Sequence, residues 1–145
     1  MVHHLRKTVI RNSFEAVIEQ LKNELGIQGF ECGDVTDFQK INSASEAVPG
    51  RKYVVLSAYM PALYRDMLLY APLPGLVLPC MISVVEVNPG VVEISPYNTT
   101  EVILHSIENP RLQNFANEVS HKLALAVSAL EKSHFKDPDL VTSWS

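Results

Sequence analysis

The spacing of apolar residues predicts a strand and then a helix at the start of the chain. Residues 2–10 end in the run Thr8-Val9-Ile10, whose β-branched and apolar side chains are typical of a strand. Asn12 and Glu15 follow with the spacing of a capping box, so a helix should begin there, and Gly26 supplies its stop. Apolar residues recur every three or four positions and share one face of this helix: Phe14, Val17, Ile18, Leu21 and Leu25.

A second strand and a short helix are predicted next. Ile27 to Val35 is the strand, and Gly29 and Gly33 within it indicate a bulge or a close approach of another backbone. The short helix is predicted from Asp37 to Ile41. Residues 42–52 are polar and contain a Pro-Gly pair, which favours an exposed connection.

The middle of the chain carries strongly apolar elements. Tyr53 to Tyr59 is apolar at nearly every position, as in a strand covered on both faces, so we expect it to be the central strand. Pro61 fits the first turn of a helix that reaches Ala71 and is apolar nearly all round. Because one sheet cannot cover every face of such a helix, the excess apolar surface favours a homodimer.

A hairpin and a long helix are predicted in the last part of the chain. Leu76 to Val87 forms a strand, and Asn88-Pro89-Gly90 returns it into Val91 to Ile94, with Ser95-Pro96 ending the hairpin. Asn109-Pro110 has the residues that open a helix. That helix carries a continuous apolar stripe: Leu112, Phe115, Val119, Leu123, Val127 and Leu130.

This order of elements predicts an α+β fold. We expect a two-layer sandwich in which helices pack on a mixed sheet of about five strands. Residues 1–134 should form a single domain, and residues 135–145 a C-terminal tail that contains Trp144.

Composition excludes some classes of function. With 47% hydrophobic and 19% charged residues, the chain can build a packed core, and its net charge of −4 gives no basic surface for nucleic acid. The apolar stretch at 71–85 contains three prolines and a glycine, which would break a membrane-spanning helix. The first residues lack the order of a secretory signal, so we expect a cytoplasmic protein with no membrane partner. In that reducing compartment Cys32 and Cys80 should be free thiols, although their spacing in the sequence also allows a disulfide between them.

The segment between Met60-Pro61 and Leu78-Pro79-Cys80 resembles the bacterial and archaeal domain of unknown function 302 family. The shared pattern is a strand ending in a proline, a helix, and Gly-Leu-x-Leu-Pro-Cys leading into a strand at Ser83-Val84-Val85-Glu86. Asn109-Pro110 before a long helix is also similar, so the resemblance covers roughly residues 10–132. Met60 stands where the family commonly has Asn, which removes any polar role of that position. The resemblance implies a small dimeric α+β sandwich and no established activity.

Cys80 is the candidate functional thiol. A thiol beside a proline at the start of a strand could be a nucleophile, a redox sensor or a soft-metal ligand, but a reactive thiolate needs a nearby cation or helix N-terminus. Since residues 66–104 contain no Lys, Arg or His, the activating group would come from elsewhere in the fold. The alternative is a small buried apolar residue beside Leu78 and Ile82.

A set of tyrosines and apolar residues around the middle strand and helix is the candidate pocket or interface. Amphipathic rings can line a small-molecule site or a dimer seam, and ordinary packing is the alternative. The candidate residues are Tyr59, Met60, Tyr64, Met67, Leu68, Pro79 and Tyr97.

Three functions therefore stay open, with no cofactor assigned. The first is a non-enzymatic homodimeric domain that binds a small molecule or acts as an accessory module, and the second is a thiol-dependent enzyme, carrier or sensor at Cys80. The third is a haem or metal binder through Met60, Cys80 or His105. We assign no metal-site residues: Glu118 and His121 form a single Glu-x-x-His pair, whereas di-iron sites need two. The standard nucleotide, hydrolase and dithiol motifs are also missing from the sequence.

Overall fold

The computed structural model describes residues 7–41, 51–70, 79–98 and 110–135. Residues 42–50 of the predicted connection, the start of the strand predicted from Leu76, and residues 136–145 of the tail lie outside the described residues. The strands are β1 (Thr8–Arg11), β2 (Glu31–Asp37), β3 (Tyr53–Tyr59), β4 (Cys80–Asn88) and β5 (Val91–Tyr97). The helices are α1 (Phe14–Ile27), α2 (Phe38–Ile41), α3 (Pro61–Tyr70) and α4 (Pro110–Phe135).

The strands form one sheet in the order β1-β5-β4-β3-β2. The α+β fold with five strands is confirmed, but every pairing among the described strands is antiparallel, where the sequence pattern predicts a mixed sheet. The reason lies in the path of α1. It connects β1 to β2, which run in the same direction at opposite edges of the sheet and therefore never pair.

Side chains alternate between two faces of this sheet, as in any strand. The face that packs against α1 and α4, here called the inner face, holds the core. Its strand residues are Ile10, Val54, Leu56, Ala58, Cys80, Ile82, Val84, Val92 and Ile94, all buried. The helices contribute Val17, Leu21, Leu25, Val119, Leu123 and Leu130 to the same cluster. Since burying one such side chain is worth roughly 1.5–3 kcal/mol, this layer of contacts dominates the stability of the fold.

The centre of the sheet is β4 rather than β3. The prediction of β3 as the central strand was wrong. It assumed that a continuous apolar run is covered on both faces, but the outer residues of β3, among them Tyr53 and Val55, are only half-buried. Burial along β3 alternates strictly between buried and half-buried residues. An apolar outer side, rather than a second covering layer, explains the continuous apolar run.

The N-cap of α1 is Ser13, one residue later than predicted. Ser13 Oγ accepts a hydrogen bond from Ala16 N at 3.2 Å, while Asn12 Oδ1 accepts one from Ser13 N. The helix ends at Ile27, and Gly29 adopts the positive φ of 94° that reverses the chain. The stop therefore depends on Gly29 and not on the predicted Gly26.

The bulge predicted near Gly33 is present in β2. The register with β3 shifts between Cys32 and Val35, and a Cβ at Gly33 would lie 2.8 Å from Ser57 Oγ. Ser57 Oγ donates a hydrogen bond to Asp34 O at 3.2 Å and so holds the bulge against β3. A side chain at Gly33 would therefore displace the Ser57 hydroxyl, whereas the nearest backbone atom, Ser57 O, lies 3.9 Å from the same Cβ position. The bulge is confirmed, and the close neighbour of Gly33 is a side chain rather than another backbone.

The hairpin of β4 and β5 is longer than predicted. Ser95-Pro96 does not end it, because β5 continues to Tyr97 and Pro96 pairs with Ile82. Pairing between β1 and β5 stops at Thr8 and Ile94, so in the described residues the side of β5 that faces β1 is an edge at Pro96. A proline is tolerated there because no ladder hydrogen bond is lost.

The last helix begins at Pro110 as predicted, and its apolar stripe is confirmed. Leu112, Val119, Leu123, Val127 and Leu130 are buried, together with Ala116 and Ala126, while Phe115 is half-buried.

Candidate functional site

A buried polar network joins one end of the sheet to α4. The hairpin register pairs Met81 with Tyr97, so Cys80 and Asn98 extend from it at the same end of the sheet. The Cys80 thiol donates to Asn98 Oδ1 at 3.7 Å. Asn98 Nδ2 donates to Ala116 O at 3.1 Å and to Ser120 Oγ at 2.8 Å. Asn98 therefore connects the start of β4, the end of β5 and the buried stripe of α4.

The environment of Cys80 keeps its thiol protonated at neutral pH. The side chain is fully buried, and burial raises the pKa of the Cys80 thiol to about 12. Because the thiolate is the nucleophile and the metal ligand, this geometry favours the packing interpretation of Cys80.

Cys32 and Cys80 lie in the same row of the sheet with Ala58 between them. Cys32 pairs with Ala58 on one side, and Cys80 pairs with Ala58 on the other. Two strand spacings separate the cysteines by roughly 9.6 Å, which is beyond the reach of a disulfide. Both are free thiols, and desolvation raises the pKa of Cys32 although Lys22 opposes the shift.

The residues of the candidate pocket or interface do not form one cluster. Tyr59 and Tyr97 lie on the face of the sheet opposite the core, whereas Met60 is buried in the core. Pro79 is half-buried immediately before β4. The side chains of Tyr64, Met67 and Leu68 lie outside the described part of the chain.

Tyr59 is paired with a carboxylate at the β2 edge. Its hydroxyl donates to Glu31 Oε2 at 3.0 Å, and this hydrogen bond together with the charge of Glu31 raises the pKa of Tyr59. A phenol with a raised pKa is a poor general base, so the pair is better suited to anchoring than to proton transfer.

The face of the sheet opposite the core is here called the outer face. In the three middle strands it consists of Tyr53, Val55, Ser57, Tyr59, Met81, Ser83, Val85, Val91, Glu93, Ser95 and Tyr97. Glu93 is the only charged residue among them, and its Oε1 lies 2.9 Å from the ammonium of Lys7. Tyr97 is 45% exposed, and Val9 beside Glu93 on β1 is 50% exposed. The outer face of an antiparallel sheet is ordinarily polar, so this composition is unusual.

Asn98 and Ser120 are the residues that sequence reasoning missed. Asn98 follows Pro96, where the sequence pattern predicts the end of the hairpin, so the pattern places Asn98 in a loop. A weak signal was present in α4, where Ala116 and Ser120 are small residues one turn apart, beside the buried Val119.

Within the described ranges, no group of three or more His, Cys, Asp and Glu side chains is placed to hold a metal ion. Glu118 belongs to the Glu-x-x-His pair on α4, and its Oε1 lies 3.9 Å from Nζ of Lys122 on the same helix. His105 lies outside the described residues. None of the helices in the described part of the chain combines the length and the apolarity needed to cross a membrane.

The fold and this arrangement define a two-layer α+β sandwich with an antiparallel sheet. The chain belongs to the family described as Domain of unknown function DUF302, whose sequence model matches residues 6–130. The resemblance predicted from the residues around Leu78-Pro79-Cys80 is thereby confirmed.

Among solved structures, the chain is similar to the crystal structure of an uncharacterized conserved DUF302 protein from Bacillus stearothermophilus, with a TM-score of 0.71 and 20% sequence identity. The similarity covers 85% of this chain and 94% of that chain. No curated protein matches the sequence.

Proposed function

We propose that the protein is a non-enzymatic domain that forms a homodimer and acts as an accessory or small-molecule-binding module. The observation that carries this proposal is the composition of the outer face, which has one charged residue across three strands. A neutral face of valines, serines, tyrosines and methionine resembles the centre of an interface, which is depleted in charge and enriched in aromatic residues and methionine.

A second exposed apolar group supports a partner. Leu69 on α3 is 78% exposed, in the helix whose apolar surface first favoured dimerisation. Leu69 therefore adds one exposed apolar side chain outside the outer face.

Thiol chemistry is the alternative function, and the geometry at Cys80 gives it less support. A fully buried thiol with a pKa of about 12 is neither ionised at neutral pH nor accessible to a substrate. The two free thiols do fit a reducing compartment such as the cytoplasm. Haem or metal binding through Met60 and Cys80 has the same difficulty, because both side chains are buried in the core.

Sedimentation velocity of the wild-type protein tests the proposal. We expect a dimer at tens of micromolar that dissociates on dilution. A monomer across the whole concentration range would contradict it. A Cys80→Ala variant that keeps the wild-type fold but loses an enzymatic activity of the wild type would contradict it as well.

A further inference from the structure

We propose that the dimer seam is the outer face, with a second copy of this chain packed against it sheet to sheet. This inference rests on the proposed homodimer and names the surface that forms it. The described helices α1 and α4 occupy the inner face. At one corner of the outer face, the ring of Phe38 on α2 packs edge to face against the ring of Tyr53, with the ring centroids 5.1 Å apart.

The centre of the outer face is small and neutral. Ser83 lies on β4, the middle strand, and pairs with Ser95 on β5 and Val55 on β3. This row has no charged side chain, and Glu93, in the row of Val85, is neutralised by Lys7. Desolvating an unpaired charge is the main electrostatic cost of burying a surface. Burying these two rows avoids that cost, because neither contains an unpaired charge.

The area of the outer face is large enough for a stable contact. Strands of seven residues at ~3.4 Å each are about 24 Å long, and five strands spaced ~4.8 Å apart cover a similar width. Allowing for the short β1, each face offers about 500 Å², so two faces together bury about 1,000 Å². The two edge strands add charged residues at the rim of this area, Arg11 on β1 and Glu31 on β2, while the three middle strands supply its neutral centre. Specific interfaces begin at about 1,000 Å², so we expect a dimer of modest affinity.

A second copy is the occupant that fits this surface best. A small molecule needs a concave site, whereas a sheet presents a broad and gently twisted surface. Two sheets with the same right-handed twist pack face to face with their strands within about 30° of each other. An identical sheet has the matching twist by construction, and a two-fold axis through the face places the row of Ser83 against the same row of the partner.

Charge substitution at the centre of the outer face tests the seam. Ser83→Lys and, separately, Val55→Lys each place an ammonium opposite its own copy across the two-fold axis, so we expect the dimer dissociation constant to rise at least about tenfold. Leu125→Lys on α4, where the wild-type side chain is 42% exposed, and Leu69→Lys on α3 are matched controls that should leave the dimer intact. Circular dichroism checks that every variant is folded.

Mixing complementary variants makes the test specific. Ser83→Lys and Ser83→Glu should each be monomeric alone and should form a heterodimer when combined, because only then does a cation face an anion. A dimer that survives both outer-face lysines but is lost in Leu69→Lys would overturn this seam while leaving the homodimer standing. A monomeric wild type would instead overturn the proposed function itself.

Discussion

Replacing Asn98 with alanine should destabilise the fold although Asn98 lies outside every strand and helix. The side chain is 4% exposed and donates two hydrogen bonds, to Ala116 O and Ser120 Oγ. Each such bond contributes about 1 kcal/mol net, and the weaker bond from Cys80 adds less. The cavity left by the amide increases the loss, so we expect Asn98→Ala to lower the free energy of unfolding by about 2–3 kcal/mol.

Urea denaturation followed by circular dichroism measures this change, with all proteins at the same concentration because dimerisation would shift the midpoint. Ser120→Ala is the matched control. It removes one of the two donor bonds of Asn98, so it should cost about 1 kcal/mol. The double variant should cost less than the sum of the two, since both single variants remove the bond between Asn98 and Ser120.

A different result would refute the role assigned to Asn98. If the free energy of unfolding of Asn98→Ala lies within about 0.5 kcal/mol of the wild-type value, the network does not join the sheet to α4. Strict additivity of the two single variants would show that the contact of 2.8 Å contributes nothing.

Three further predictions address other parts of the structure. Gly33→Ala should destabilise the fold by about 1–3 kcal/mol, and less in a Ser57→Ala background, because the new Cβ would lie 2.8 Å from Ser57 Oγ; urea denaturation of the single and double variants measures the difference. The Cys80 thiol, with a pKa raised from 9.0 to about 12, stays protonated in the folded protein while it ionises in the unfolded chain. Stability should therefore fall by about 1.4 kcal/mol per pH unit as the pH rises from about 9 to about 12, and Cys80→Ala should show a shallower decline. Glu31→Gln should lower the pKa of Tyr59 towards its ordinary value, since the hydrogen bond to Glu31 is the largest cause of the raised pKa; NMR titration of the tyrosine Cζ resonance measures it, and an unchanged pKa would contradict the pairing.

The periodic elements could be predicted from the sequence because their apolar positions are set by the core that they share. The stripe of α4 and the face of α1 with Val17, Leu21 and Leu25 followed directly from helical spacing. Gly33 was predictable as well, since a glycine inside a strand usually marks a place where no side chain fits.

Strand order and the polar network could not be predicted, because both depend on contacts between distant segments. The position of β3 was misjudged since its apolar outer residues suggested a second covering layer. Asn98 meets Ser120 only after β5 and α4 are placed side by side, so no local pattern identifies it. The true end of β5 could not be predicted either, because a proline inside a strand normally indicates its end. Pro96 is tolerated within β5 only because β1 stops pairing before it.

Of the candidate residues, Cys80 shows most clearly how burial changes a functional interpretation. Its position beside Pro79 suggested a reactive thiol, but the chain places it on the inner face between Ala58 and the hairpin end. The outer face, by contrast, contributes every second residue of the apolar run from Tyr53 to Tyr59. The sequence pattern alone predicts a strand covered on both faces there.

Native mass spectrometry of the gently purified wild-type protein tests the central claim, which is that this domain functions as a homodimer, most directly. One spectrum reports the subunit number together with any retained molecule. We predict a dimer at tens of micromolar, and additional mass on that dimer would identify a small molecule bound to it. A spectrum that contains only the bare monomer at that concentration would contradict the account.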